Sequence, residues 1–286
     1  MVRRVTQSQL RNLQRQAESK RRQWVNRYNQ GVRNYKRAVE DYNRQVRAYN
    51  SRQRSSEQRL RSELNKLSRH RSTQYASFRV SVSRLSTSYT KLDQSVISRS
   101  LTPEENFFFD LSERETANGV GVLNALLEPG GGDAEGALLQ QTSITDEIAA
   151  ISEELNTRWH GALFSLNPQN PEASRHFCTS AREIFTDILD IRAPDIAVET
   201  HLPNCQRTDL GTPTRRSKIQ YLLESKEVHN NDLVEFVEVD IQNIIDLFDV
   251  FNAATHGKVG TYDLVALAAI KKRVEDGLIF LARIAV

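Results

Sequence analysis

The stretch VNRYNQGVRNYKRAVEDYNRQVRAY, residues 25–49, decides how the chain is read. Val25, Val32, Val39 and Val46 recur every seven residues, and Tyr28, Tyr35, Tyr42 and Tyr49 follow each of them three places later. Alternating spacings of three and four put all eight on one slowly winding stripe of a helix, with Val at every a and Tyr at every d of a heptad. Arg, Asn and Gln fill the other faces, and Gly31 lies inside the clean heptads without breaking them. A tyrosine at d fills a seam with its ring and leaves its hydroxyl at the wet edge. Interleaved Tyr and Arg could also stack and neutralise a single-stranded nucleic acid, but strict heptad spacing favours the seam.

The pattern resumes downstream. Tyr75, Phe78, Val82, Leu85, Tyr89, Leu92 and Val96 repeat the spacing, and Leu60, Leu64 and Leu67 bridge the two blocks with phase shifts. The segment Asn50–Ser56 has no apolar residue, and Ser55 with Gln58 could form a capping box. Either one long helix or an antiparallel hairpin turning near 50–56 is consistent with this. The hairpin is preferred because it buries its own seam. Residues 1–100 hold 24 Lys and Arg against 6 Asp and Glu, a net +18, whereas residues 101–286 carry −15. Such a basic half attracts polyanions, or the acidic half of its own or a neighbouring chain.

Beyond Ser100 the composition changes. Thr102-Pro103-Glu104-Glu105 is a helix start with Thr as cap and Pro at the first position, leading towards Leu127 with Gly119 and Gly121 as candidate interruptions. Pro129-Gly130-Gly131-Gly132-Asp133 reads as a linker, since it lacks the Gly-Lys-Ser/Thr ending of a phosphate-binding loop. One apolar stripe then runs from Ile148 to Leu166 and another from Phe177 to Leu189, before a loop-rich stretch over 192–213. A short basic helix follows at 214–223, and two long helices are predicted at about 232–255 and 261–284. The expected fold is all-α, a long N-terminal coiled coil or helical hairpin followed by an α-helical bundle. Its expected divisions are a basic arm (1–100), a connector and Gly-rich linker (101–142) and a helical domain (143–286).

Several classes are set aside. Two cysteines form neither a disulfide framework nor a zinc site. No apolar run follows the basic start, and none approaches the ~20 residues of a membrane span, so a cytoplasmic protein is expected. His160, His176, His201 and His229 lack metal-ligand spacing, and Asp240, Asp246 and Asp249 follow the polar face of a helix. No metal or other cofactor is expected.

The run Phe251-Asn252-Ala253-Ala254-Thr255-His256-Gly257 places Asn252 and His256 four apart, on one face at a helix end. A general base and an orienting amide could act on a phosphodiester there. A plain C-cap, with His256 on the last carbonyls and Gly257 as the left-handed residue, uses the same residues. Asn-x-x-x-His-Gly between the last two helices resembles the HEPN superfamily of helical ribonucleases. The wider stretch is similar to the bacterial group called predicted pPIWI-associating nucleases. The matching segments are Arg158–Ala162, Arg175–Phe177 with Ser180–Glu183, Thr212–Arg216 and Phe251–Gly257, in that order over roughly 143–286. The resemblance implies a metal-independent endoribonuclease with His256 and Asn252 catalytic. It also implies an Arg just before Asn252, where this chain has Phe251. A cation should stabilise charge growing on the phosphate, and Arg182 is the candidate to supply it. Arg158, Arg215, Arg216 and Lys218 are candidate nucleic-acid contacts. The implied partners are nucleic acid, RNA before DNA, a second copy through the coiled coil, and a partner protein of a defence system. A non-catalytic scaffold with a degenerate nuclease domain is the competing expectation.

Overall fold

The computed structural model describes residues 7–70, 75–96, 101–128, 139–167, 170, 172–255 and 264–286. The helices are α1 (Gln7–Arg69), α2 (Ala76–Val96), α3 (Pro103–Leu127), α4 (Thr145–Ala149) and α5 (Glu153–Ser165), then α6 (Ala173–Arg192), α7 (Asp195–His201), α8 (Arg215–Glu224), α9 (Asn231–Thr255) and α10 (Leu264–Ala285). The fold is all-α. Among the described residues no helix is long and apolar enough to cross a membrane. The chain divides into two compact units, Met1–Ser55 and Ser56–Val286.

The first unit is the N-terminal part of α1. Of its heptad stripe, Tyr28, Tyr35 and Tyr42 are 60 %, 72 % and 66 % exposed. Trp24 stacks on Tyr28, centroids 5.6 Å apart and planes 12° from parallel. The hairpin preferred from the sequence is not formed at 50–56, where α1 continues without interruption to Arg69. No Gly or Pro occurs between Gly31 and Pro103. The Arg, Gln and Glu of this stretch propagate a helix readily even where the apolar seam lapses.

In the second unit the second apolar block belongs to a bundle rather than to a coiled-coil seam. Phe78, Val82, Leu85 and Leu92 of α2 are fully buried, and the helix packs on α9 and α3. Tyr89 meets Phe236 of α9 edge-on at 6.4 Å. The compact unit therefore starts at Ser56 and takes in α2 and α3, which the sequence pattern assigns to the arm and to a connector. The start of α3 is as expected: Thr102 Oγ1 accepts from Glu105 N at 3.1 Å, and Glu105 Oε2 accepts from Thr102 N at 3.0 Å. Neither Gly119 nor Gly121 interrupts α3. A Cβ at Gly119 would lie 2.8 Å from Leu85 Cδ2, so this glycine allows α2 to approach α3 closely. The stripe from Ile148 to Leu166 is split between α4 and α5, and α7 stands inside the loop-rich stretch.

The centre of the bundle is ionic. Arg273 of α10 is fully buried. Its guanidinium donates to Glu115 of α3 at 2.6 Å, to Asp240 of α9 at 2.5 Å and to Asn243 at 3.2 Å. Asn243 in turn donates to Ser81 of α2 at 3.1 Å. Asp240 is thus a core residue, contrary to the polar-face reading of its spacing. Burial, together with two carboxylates sharing one guanidinium, pushes Glu115 up to about 8 and holds Asp240 above its ordinary range. Removing one member of a buried pair leaves the others desolvated and uncompensated. Arg273→Met should cost about 3–5 kcal/mol in denaturant unfolding; a loss below about 1 kcal/mol would show that the network is dispensable.

A second buried carboxylate stands apart from it. Burial pushes Glu113 up to about 7, against the hydrogen bond it receives from Tyr89, with Glu57, Asp110 and Asp93 adding repulsion. Because the folded state holds this proton more tightly than the unfolded one, its stabilising contribution is complete below the ordinary carboxylate range. It is lost as pH rises through about 7. The melting temperature should therefore fall between about pH 5 and 7 and level off above that, and Glu113→Gln should flatten the fall. An unchanged slope in the variant would remove Glu113 from the explanation.

Candidate functional site: a cationic cleft between α6, α8 and α9

Each element brings its residue by its apolar register. The buried stripe of α6 is Phe177, Ala181, Ile184, Phe185, Ile188 and Leu189, which leaves Arg182 on the flank facing the C-terminal half of α9. Arg182 Nη2 donates to Asp249 Oδ1 at 3.2 Å, and its guanidinium stands 5.9 Å from the centroid of Phe248. Asn252 is half-buried, three residues beyond Asp249 and on the same side of α9. His256 and Gly257 lie outside the described residues.

Phe251 explains why the expected arginine is missing. Its side chain is buried and meets Phe177 edge-on at 6.5 Å, and Phe177 in turn packs on Trp159 at 5.8 Å. The position before Asn252 points into the aromatic core, where an unpaired guanidinium would be costly. Cys178, on the same turn of α6, is also inert. Burial pushes its thiol well above the ordinary range, and it faces the Phe248 carbonyl oxygen at 4.0 Å.

On the other side of Arg182, the loop before α8 is an ordered turn. Thr208 N donates to Thr212 O at 2.8 Å and Thr214 N donates to Gln206 O at 2.9 Å. Gly211 occupies the left-handed region at φ +85°, which a turn this tight requires. Thr214 caps α8, accepting from Ser217 N at 3.3 Å. The turn directs Arg215 and Lys218 towards α6. Together with Arg182, Asp190 and Asp195 they line a cavity of about 310 Å³, closed on its inner side by Phe185, Ile241 and Ile245.

The predicted contact residues separate into different roles. Arg158 lies away from the cleft and clasps α5 to α6, pairing with Asp187 at 2.5 Å, Glu183 at 3.5 Å and Glu154 at 3.3 Å. Arg216 pairs with Glu238 at 3.1 Å. Lys218 is nearly enclosed and pairs with Asp190 at 2.6 Å and Asp195 at 2.7 Å. Although burial works against its charge, those two carboxylates hold its ammonium above the ordinary range. Arg215 is half-buried and, among the described residues, makes no ion pair. Burial pulls its pKa below the ordinary range, with the Glu238 charge opposing. The sequence does not reveal the acidic partners, because Asp190, Glu238 and Asp249 fall outside the apolar stripes of predicted helices and Asp195 falls in the predicted loop-rich stretch. Among the described residues no group of three His, Cys, Asp or Glu is arranged to hold a metal ion.

No curated protein and no solved structure matches the chain. The resemblance carried by the ordered motifs of the C-terminal part is nevertheless borne out, because residues 149–281 match the family model described as predicted pPIWI-associating nuclease.

Proposed function

We propose that the protein is a nucleic-acid-targeting effector of the bacterial defence type, acting in the cytoplasm, with RNA its substrate before DNA. A HEPN-like domain, residues 143–286, cuts the strand. The basic arm assembles copies of the chain and holds nucleic acid through its arginines. One observation carries the catalytic reading: Arg182 is fixed by Asp249 one turn before Asn252, so a cation reaches the end of α9 although residue 251 cannot supply it. In this mechanism His256 takes the proton of the RNA 2′-hydroxyl as that oxygen bonds to the adjacent phosphorus. The P–O5′ bond breaks and the 5′-oxygen leaves with a proton from solvent, while Asn252 orients the phosphate. Arg182 releases Asp249 or shares itself to meet the charge that grows on the non-bridging oxygens. The residues invoked need neither metal nor other cofactor.

A second reading has its own support. Arg158, Arg182, Arg216 and Lys218 are all neutralised by carboxylates in the free protein. A scaffold with a degenerate nuclease domain would look the same. An RNA and DNA degradation assay, with and without EDTA, separates the two. Wild type should cleave RNA in EDTA. His256→Ala and Arg182→Gln should each lose about 100-fold or more, the scale of a lost charge-stabilising donor. Full cleavage by His256→Ala would sink the catalytic assignment, and no cleavage of any substrate by wild type would leave the scaffold.

Assembly rests on the exposed tyrosines of the Val/Tyr stripe. Tyr35→Glu with Tyr42→Glu should lower the oligomer mass measured by light scattering and weaken nucleic-acid binding, because a charge at d disrupts the seam. An unchanged mass would place the stripe outside the interface. A protein partner from the same defence system is a further part of this proposal.

A further inference from the structure

The first turn of α8 is electrically misplaced. The positive end of a helix favours anions, yet Arg215-Arg216-Ser217-Lys218 puts three cations there with no acidic residue in that turn. Arg216 is offset by Glu238, and Lys218 by Asp190 and Asp195. Arg215 has no such compensation: among the described residues its side chain makes neither an ion pair nor a hydrogen bond. A partly desolvated cation left so lowers the stability of the free protein. Positions that break local rules without a compensating contact are where a ligand completes the structure.

The surroundings of Arg215 say which ligand. The cavity of about 310 Å³ has Arg182, Arg215 and Lys218 with Asp190 and Asp195 on its polar side and Phe185, Ile241 and Ile245 on the other, at the small end of the range for ligand sites. Both carboxylates are taken up by Lys218, which leaves Arg215 to meet an anion. A wholly hydrated anion would not need an apolar wall, and an apolar molecule would not need the cations. We propose that the cavity is a subsite for one nucleotide unit, with its phosphate on Arg215 and its base or sugar against Phe185, Ile241 and Ile245. This deepens the nuclease reading and rests on it, naming where the strand is held rather than where it is cut. Lys218 is then a positioning residue. Its ammonium ties Asp190 of α6 to Asp195 of α7 and offsets the charge of the two carboxylates that share the cavity with the phosphate. Arg182, shared between the cavity and Asp249, links the subsite to the end of α9.

The test uses the full chain with adenosine 5′-monophosphate, adenosine and inorganic phosphate as probes, read by calorimetry and thermal melting. Adenosine 5′-monophosphate should bind at least tenfold tighter than either adenosine or phosphate. Arg215→Gln should weaken that binding tenfold or more, while Arg175→Gln, at an exposed ion pair with Glu172 that does not line the cavity, should not. Ligand-free Arg215→Gln should melt about 1–3 °C higher than wild type, because a partly desolvated cation with no ion-pair or hydrogen-bond partner among the described residues has been removed. A merely structural arginine would give the opposite sign. Undiminished nucleotide binding in Arg215→Gln, or a lower ligand-free melting temperature, would overturn the subsite. Binding of phosphate as tight as that of the nucleotide would overturn its apolar half. Repeating the titration with His256→Ala separates the two readings. Arg215-dependent nucleotide binding without any cleavage in wild type keeps the subsite and removes the nuclease; cleavage without nucleotide binding does the reverse.

Discussion

At the middle of the bundle a single guanidinium, cut off from solvent, holds three helices at once. Arg273 of α10 bonds Glu115 of α3 and Asp240 and Asn243 of α9, and Asn243 reaches on to Ser81 of α2. Hydrophobic burial draws these helices together but does not choose between neighbouring registers, since an apolar stripe shifted by one turn still finds apolar neighbours. The ionic network does choose. A one-turn slip of α10 would leave two carboxylates and a guanidinium buried apart, at a cost larger than any packing gain. The glycines support the same register. A Cβ at Gly277 would overlap Ile244 Cδ1, and one at Gly119 would press on Leu85, so α10 and α3 lie closer to their neighbours than any larger residue permits.

The same constraint reaches the cleft. Asp240 and Asn243 fix the middle of α9, and about two and a half turns beyond them carry Phe248, Asp249 and Asn252. A helix held at its centre presents its end with little freedom, which is what a site built on secondary structure requires. Phe185 couples the two regions: its ring lies 3.4 Å from where a Cβ of Gly277 would sit, and it also walls the cavity beside Arg215. Charges that are fully paired, such as Arg158 and Lys218, act as ties between helices. Arg215, which has no ion-pair partner among the described residues, lines the cavity.

Much of the architecture was legible because periodicity reports burial directly. The stripes of α6, α9 and α10 are buried as their spacing implies, and the Thr102 cap forms with the Glu105 partner that the local pattern supplies. Two things were not legible. The spacing of Phe78, Val82 and Leu85 specifies an apolar face but not its partner, so a bundle helix and a coiled-coil strand look alike until α9 is seen opposite. Ionic core residues are hidden for a related reason. Asp240 and Arg273 occupy positions that a polar face would also occupy, and only the meeting of α3, α9 and α10 makes them interior. At the candidate site, Arg182, Arg215 and Lys218 could be named from the chain and do converge. Which of them still has charge to offer depends on carboxylates 23 to 67 residues away, and no local pattern encodes that.

The two tryptophans stand in contrasting places. Trp24, 66 % exposed and stacked on Tyr28, belongs to the arm, whereas Trp159 is sealed in the aromatic core with its indole N–H on Thr142 Oγ1 at 3.1 Å. The protein therefore carries one tryptophan in each compact unit, one open to aqueous quenchers and one shielded from them. A water-soluble quencher reaches Trp24 before Trp159, so indole emission tells the surface of the arm from the core of the bundle.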